Sequence, residues 1–179
     1  MAKQDVVLFV DDEEPILKMV NRLFHSENMQ VLTANSGEEA LNLLEAHSVQ
    51  LVISDQRMPQ MSGSELLTQV RVKYPNVIRM IMSGYADISS VVECINDAHI
   101  HHFVPKPWDT EQLKQLISEY LDVARVRKNT QCQSPANSVS KHSVSDIHAS
   151  DIHIDLLNTI AKLRQQVAAL EKAKDPNKP

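Results

Sequence analysis

The sequence contains few cysteines and few aromatic residues. Only two of its 179 residues are cysteines, Cys94 and Cys132, and neither has a neighbour at the spacing of a metal site or a disulfide framework. We therefore expect both thiols to be reduced and uninvolved in function. Phe, Trp and Tyr make up 4% of the chain, so we expect aliphatic residues and methionine to form the core.

The sequence also lacks a long hydrophobic run and an excess of positive charge. The N-terminal apolar run covers only residues 6–10, which is too short for a signal peptide or a membrane span. The formal net charge is -5, and there is no cluster of lysine and arginine of the kind that binds nucleic acid. We therefore expect a cytoplasmic protein with neither a membrane nor nucleic acid among its partners.

Short aliphatic runs alternate with segments of helical periodicity over residues 1–127. The runs predict five strands, at 6–10, 29–34, 51–54, 77–82 and 102–105. The first and third runs are almost continuously apolar, which is typical of strands buried on both faces of a parallel sheet. Apolar residues at helical spacing predict a helix after every strand, including a fourth helix marked by Val91, Val92 and Ile95. This order predicts a doubly wound α/β domain with a five-stranded parallel sheet.

The rest of the chain has a different composition. Residues 128–150 are rich in Ser, Gln, Asn, His and Lys and predict a polar linker. Residues 151–174 carry a heptad-like apolar stripe, formed by Leu156, Ile160, Leu163, Val167 and Leu170. The stripe predicts an amphipathic helix, which either forms a parallel coiled coil in a homodimer or packs on its own domain. Residues 175–179 are expected to be a disordered tail.

Polar residues stand directly after four of the predicted strands. Asp11 and Asp12 follow the first strand, Asp55 the third, Ser83 the fourth and Lys106 the fifth. Ligands of open parallel sheets bind beyond the carboxyl ends of the strands, which all meet at one edge. We therefore expect these five side chains to converge there.

Three carboxylates, a hydroxyl and an ammonium suit phosphoryl transfer, in which catalysis consists mainly of positioning and charge neutralisation. The carboxylates need a cation, and Mg²⁺ prefers carboxylate oxygens and water. If Asp55 becomes an acyl phosphate, the Ser83 hydroxyl can donate to one phosphate oxygen and the Lys106 ammonium can pair with another. The alternative is that each aspartate is only a helix cap or a solvated loop residue. The presence of all five residues at strand ends favours phosphoryl transfer.

Four motifs at the ends of predicted strands resemble the signature of the response-regulator receiver family. They are Asp-Asp-Glu at 11–13, Asp-Gln-Arg-Met-Pro at 55–59 with Gly63, Ser-Gly-Tyr-Ala at 83–86, and Lys-Pro at 106–107. The resemblance covers about residues 5–127 and implies a flavodoxin-like (βα)5 receiver fold. It also implies a two-component or phosphorelay pathway, in which a histidine kinase or a phosphotransfer protein donates the phosphoryl group.

The resemblance implies how the acidic residues divide their roles. Asp55 is the implied phosphoacceptor. The implied Mg²⁺ ligands are Asp11, Asp12, Asp55 and the backbone carbonyl of Arg57, so Mg²⁺ is the expected cofactor.

The resemblance also implies a set of switch residues, which are Ser83, Phe103 and Lys106. The family usually has a cis-proline after this lysine. Serine stands where threonine is commoner, and Phe103 stands where tyrosine is commoner, so no phenol hydroxyl is available to partners at that position. Arg57 and Tyr85 lie beside the site and are expected to affect the lifetime of the phosphate.

Ser-Gly-Tyr-Ala-Asp at 83–87 and Lys-Pro-Trp at 106–108 most resemble receivers joined to cyclic-di-GMP phosphodiesterase domains, although we expect no such output domain here. Our hypothesis is a phosphoacceptor regulator that signals to an unknown protein target and catalyses only its own phosphorylation and dephosphorylation. One alternative is a receiver whose C-terminal helix dimerises or docks on a partner enzyme or kinase. A DNA-binding regulator is less favoured, because the tail has no helix-turn-helix pattern and no basic face.

Overall fold

The computed structural model describes residues 4–84 and 99–131. Its strands are β1 (Asp5–Val10), β2 (Met29–Ala34), β3 (Leu51–Asp55), β4 (Ile78–Gly84) and β5 (His102–Lys106). The helices of this part of the chain are α1 (Glu14–Leu23), α2 (Gly37–Ala46), α3 (Gly63–Lys73) and α4 (Thr110–Gln131). None of these four helices is long and apolar enough to cross a membrane.

Some of the predictions fall outside the described residues. They concern the helix around Val91, the two cysteines, Tyr85, the linker beyond Gln131 and the amphipathic helix at 151–174. The last described helix, α4, includes the first residues of the segment that the composition predicts to be a linker.

The five strands form one sheet in the order β2-β1-β3-β4-β5, and every neighbouring pair is parallel. The predicted doubly wound α/β fold with a five-stranded parallel sheet is therefore confirmed. All residues of β1 and β3 are buried, as expected for strands covered on both faces.

Apolar side chains form one layer on each face of the sheet. Val6, Leu8 and Val10 of β1 enter the layer that contains residues of α2 and α3. Val7 and Phe9 enter the opposite layer, with residues of α1 and α4. Because successive side chains of a strand point to opposite faces, a slip of one residue would exchange the two layers. Burial therefore fixes the register, and with it the positions of the residues at the strand ends.

Three strands are longer at their carboxyl ends than the sequence predicts. β3 includes Asp55, β4 continues through Ser83 to Gly84, and β5 includes Lys106. The ladders continue because Asp55 pairs with Met82, and Gly84 pairs with Lys106. Asp55, Ser83 and Lys106 therefore belong to the strand ends, whereas Asp11 and Asp12 lie in the loop that follows β1.

The α3 helix begins with a capping box. The hydroxyl of Ser62 accepts a hydrogen bond from the backbone N–H of Glu65, and the Glu65 carboxylate accepts one from the backbone N–H of Ser62. The second of these bonds, together with a bond from the Ser62 hydroxyl, holds the pKa of Glu65 below its ordinary value. The stability that Glu65 contributes is therefore present at neutral pH and is lost as the pH falls through the lowered pKa.

We expect Ser62→Ala to lower the free energy of unfolding by about 1 kcal/mol, because it removes an N-cap acceptor. Urea unfolding at neutral pH measures this difference. Ser26→Ala is the control, since Ser26 is exposed in the turn after α1. Equal stabilities of the two variants would contradict the prediction.

Candidate functional site

Asp55 is the last residue of β3, and only 7% of it is exposed. Its two carboxylate oxygens have different partners. Oδ1 lies 2.5 Å from Nζ of Lys106, and Oδ2 accepts a hydrogen bond of 2.6 Å from the backbone N–H of Arg57. One ammonium and one amide therefore compensate the charge of this buried carboxylate.

Asp11 directly follows β1 and is 1% exposed. Its Oδ2 lies 2.8 Å from Nζ of Lys106, and its Oδ1 accepts a hydrogen bond of 2.9 Å from the backbone N–H of Glu13. Because β4 lies between β5 and β3 in the sheet, the long Lys106 side chain has to pass the end of β4 to reach Asp55 and Asp11. A single ammonium thus bridges two carboxylates from different strands.

The electrostatics of this bridge are asymmetric. Burial raises the pKa of the Asp55 carboxyl above its ordinary value, and the hydrogen bonds from Lys106 and Arg57 only partly offset this effect. Burial also acts to lower the pKa of Lys106, but its hydrogen bonds to Asp11 and Asp55 outweigh burial and raise that pKa. The ammonium therefore stays charged at neutral pH beside a carboxylate whose negative charge is costly to bury.

The two residues that follow Lys106, Pro107 and Trp108, also shape its surroundings. The Lys106–Pro107 peptide bond is cis, as in the receivers that the motif resembles. The ring centroid of Trp108 lies 5.7 Å from Nζ of Lys106, within the range of a cation–π interaction. Trp108 also packs against the apolar layer of α1 and α4, so the indole links the lysine to the core.

The two remaining predicted switch residues are buried in β4 and β5, Ser83 near the carboxyl end of β4 and Phe103 near the start of β5. Ser83 is 1% exposed and lies one position beyond Met82, which pairs with Asp55. Phe103 is 2% exposed and belongs to the same apolar layer as Ile81, its partner on β4. Ser83 thus lies on β4, the strand next to Asp55, and Phe103 lies on β5, the edge strand beyond it.

Asp12 and Arg57 are more exposed than Asp11, Asp55, Ser83, Phe103 and Lys106. Asp12 lines a surface groove between α1 and the start of α2, together with Lys18 and Glu39. Arg57 has an exposed side chain, and its backbone N–H contacts Asp55. The structure thus joins Asp11, Asp55, Lys106 and the Arg57 backbone in one hydrogen-bonded group. Asp12 lines the groove between α1 and the start of α2.

Three residues of the site were not assigned a role from the sequence. The hydroxyl of buried Ser54 donates to the backbone oxygen of Asp55 at 2.9 Å. A Cβ on Gly63 would overlap that same oxygen, so only glycine fits there. The Gln56 side chain donates to the Ser64 hydroxyl at 3.1 Å. A serine in the otherwise apolar run of β3 is the one sequence signal that could have indicated a polar role for Ser54.

The donor groups of the site suit a hard divalent cation. Mg²⁺ is commonly held by one or two carboxylates together with waters and phosphate oxygens, and Lys106 brings two carboxylates to one point. Within residues 4–84 and 99–131, no three side chains of Asp, Glu, His or Cys are grouped so that they could hold a metal alone. The chemistry of Asp11 and Asp55 therefore fits Mg²⁺ with oxygen ligands supplied by water and phosphate.

Comparison with known proteins gives a consistent result. The model of the response regulator receiver domain family matches residues 7–118. The sporulation initiation phosphotransferase F of Bacillus subtilis is 30% identical over 115 residues, which cover 64% of this chain and 92% of that protein. The signal receiver domain of an HD domain-containing protein from Pseudomonas fluorescens has a TM-score of 0.67 and 30% identity, and the match covers 69% of this chain and 99% of that one.

Longer relatives match only in part. The hydrogenase transcriptional regulatory protein HoxA of Bradyrhizobium diazoefficiens is 34% identical over 131 residues, which cover 73% of this chain and 27% of that protein. The chain spans about a quarter of the length of the transcriptional regulators that it matches in this way. The family model nevertheless covers more than half of the chain, and the match to phosphotransferase F includes nearly all of that protein. The chain therefore belongs to the response regulator receiver domain family.

Proposed function

We propose that Asp55 accepts a phosphoryl group in an Mg²⁺-dependent reaction and that the protein passes the resulting change to a protein partner. The observation that carries this proposal is the Lys106 bridge, in which one ammonium contacts Asp55 at 2.5 Å and Asp11 at 2.8 Å. A buried carboxylate beside a fixed positive charge can act as a nucleophile toward phosphorus, because the charge of the incoming group is compensated where it arrives. Membership of the receiver family supports the same role.

The reaction moves one phosphoryl group. A carboxylate oxygen of Asp55 attacks the phosphorus of a phosphohistidine, a new O–P bond forms, and the P–N bond breaks with its electron pair left on the imidazole. The Lys106 ammonium then pairs with an oxygen of the transferred group. Hydrolysis returns the protein to its unmodified state. Water attacks the phosphorus, the O–P bond breaks, and Asp55 regains its carboxylate while hydrogenphosphate and a proton are released.

Mg²⁺ would be held by the carboxylates of Asp11 and Asp55, which Lys106 joins. As the family resemblance implies, Asp12 and the backbone carbonyl of Arg57 would complete the site, with Asp12 reaching in from the groove that it lines. When bound, the ion supplies positive charge that offsets the carboxylates and the oxygens of the transferred group. Lys106 shares this task, since it already neutralises two of these carboxylates.

The buried residues near the strand ends would carry the change away from Asp55. Ser83 can donate its hydroxyl to an oxygen of the phosphoryl group. A movement of Ser83 along β4 would alter the packing of Phe103, because β4 and β5 are neighbours in the sheet. Arg57 and, as the family resemblance implies, Tyr85 would affect how long the phosphate lasts.

The phosphoryl donor that we propose is a histidine kinase or a phosphotransfer protein, and the downstream target that we propose is another protein. Receiver domains generally interact with such donors. The helix predicted at 151–174 would add a dimerisation or docking element, and this idea remains a prediction from its heptad pattern.

Beryllofluoride, which mimics an acyl phosphate on a carboxylate, tests the proposed function. With Mg²⁺ present, it should raise the midpoint of thermal unfolding by roughly 3–8 °C, because it binds only the native state. It should also change the fluorescence of the single tryptophan, Trp108, which lies beside Lys106. Asp55→Asn should abolish both effects, and chelation of Mg²⁺ should reverse them.

The matched control is Asp122→Asn, which changes an exposed aspartate on α4. This variant should respond like the unmodified protein. A response that persists in Asp55→Asn, or a complete lack of response in the unmodified protein, would rule out Asp55 as the acceptor.

A further inference from the structure

Backbone and side-chain hydrogen bonds hold Gln56, the residue that follows Asp55. The backbone N–H of Gln56 donates to the backbone oxygen of Met82 at 2.9 Å, and its backbone oxygen accepts from the N–H of Gly63 at 3.1 Å. Its side-chain amide donates to the Ser64 hydroxyl at 3.1 Å. Only 8% of Gln56 is exposed, so these bonds are largely shielded from water.

The side-chain contact ties Gln56 to the start of α3. The Ser64 hydroxyl lies 3.2 Å from the hydroxyl of Ser62, which is the N-cap of the helix and part of its capping box. Gly63 lies between these two serines and binds the Gln56 carbonyl. The first turn of α3 therefore holds both the carbonyl and the side chain of Gln56.

The same peptide unit faces the phosphoacceptor. The carbonyl of Gln56 and the N–H of Arg57 belong to one planar peptide group, so their directions are fixed relative to each other. The carbonyl end binds Gly63, and the N–H end donates to Oδ2 of Asp55 at 2.6 Å. Any rotation of this plane that breaks the contact with α3 also turns the N–H away from the carboxylate.

We propose that Gln56 and Ser64 are positioning residues for phosphorylation of Asp55. Their side-chain hydrogen bond holds the peptide plane that directs the Arg57 amide at the reacting carboxylate. Neither side chain takes part in bond making or breaking. This inference rests on the proposed function, and it adds that α3 contributes to the rate of phosphoryl transfer as well as to the fold.

The experiment compares phosphorylation rates with acetyl phosphate and Mg²⁺, followed by intact mass, in the full chain. Gln56→Met keeps the length of the side chain but removes its donor, and Ser64→Ala removes its acceptor. Each should slow phosphorylation about 5- to 10-fold, as expected when one preorganised donor is loosened rather than removed. The double variant should be no slower than the slower single variant, because each change acts on the Arg57 amide through the same hydrogen bond between Gln56 and Ser64.

Two controls separate positioning from general stability. Ser64→Thr keeps the hydroxyl and should restore the rate to within about twofold of the unmodified protein. Thr68→Val removes a different hydroxyl hydrogen bond in α3, the one to the Ser64 carbonyl, and should lower stability without slowing phosphorylation. Hydrogen exchange of the Arg57 amide should be faster in Gln56→Met and Ser64→Ala and unchanged in Thr68→Val.

Rates of Gln56→Met and Ser64→Ala equal to that of Thr68→Val would overturn the positioning role while leaving Asp55 as the acceptor. Single effects that multiply in the double variant would overturn it as well, since the two side chains would then act independently. Absence of phosphorylation in the unmodified protein would instead overturn the proposed function, and the positioning role with it.

Discussion

Lys106→Met should slow phosphorylation of Asp55 by about 100-fold, which is the scale of losing one preorganised charge partner at a reacting oxygen. The variant leaves the carboxylates of Asp11 and Asp55 without the ammonium that now bridges them at 2.8 and 2.5 Å. Burial already raises the pKa of Asp55, and without Lys106 only the hydrogen bond from the Arg57 amide opposes this effect. Asp55 would then bind a proton more readily than in the unmodified protein, and an incoming phosphoryl group would lack the ammonium that compensates its charge.

The control for this prediction is Lys114→Met. Lys114 is exposed to a similar extent as Lys106 (27% against 21% of the side chain) and forms an ion pair with Glu27, away from the site. Rates with acetyl phosphate and Mg²⁺ should be normal in this variant. If Lys106→Met reacted as fast as Lys114→Met, the bridge would have no part in the chemistry.

Gly63→Ala should lower the free energy of unfolding by about 2–3 kcal/mol, which is typical of overpacking against atoms that cannot move freely. The added Cβ would overlap the backbone oxygen of Asp55, which also accepts a hydrogen bond from buried Ser54. Relief of this overlap requires β3 and α3 to separate at Asp55. Phosphorylation should therefore also slow by roughly 100-fold, as expected for a displacement of about 1 Å.

Gly37→Ala is a closely matched control. Gly37 and Gly63 are both the first residue of a helix and both follow a serine N-cap. The three atoms nearest to an added Cβ at Gly37 all belong to the Met61 side chain, which is flexible and can move. This variant should change stability by less than about 1 kcal/mol and leave phosphorylation intact. Similar stabilities of Gly63→Ala and Gly37→Ala, from urea unfolding, would show that the close contact at Asp55 is unimportant.

The fold was predictable because its signals are local. The continuous apolar runs of β1 and β3 indicate strands buried on both faces, and the alternation of strands with helical periods indicates a doubly wound sheet. The convergence of Asp55 and Lys106 also followed from the sequence, because parallel strands end at one edge.

The partners of individual side chains were not predictable. The sequence does not reveal that β4 lies between β3 and β5, so it could not show that Lys106 passes β4 to bridge Asp11 and Asp55. The hydrogen bond between Gln56 and Ser64 joins two polar residues eight positions apart, and no periodic pattern in the sequence predicts such a contact. The greater exposure of Asp12 compared with Asp11 depends on the local path of the chain into α1, where the backbone N–H of Glu13 donates to the Asp11 carboxylate.

The most direct test of the central claim is to locate the phosphoryl group after reaction with acetyl phosphate and Mg²⁺. Borohydride reduction of the acyl phosphate, followed by peptide mass spectrometry, marks the modified carboxylate. We predict one modified residue, Asp55, and no modification of the Asp55→Asn variant. Modification at Asp11 or Asp12 with Asp55 unmodified, or a protein that remains unmodified under these conditions, would contradict the account.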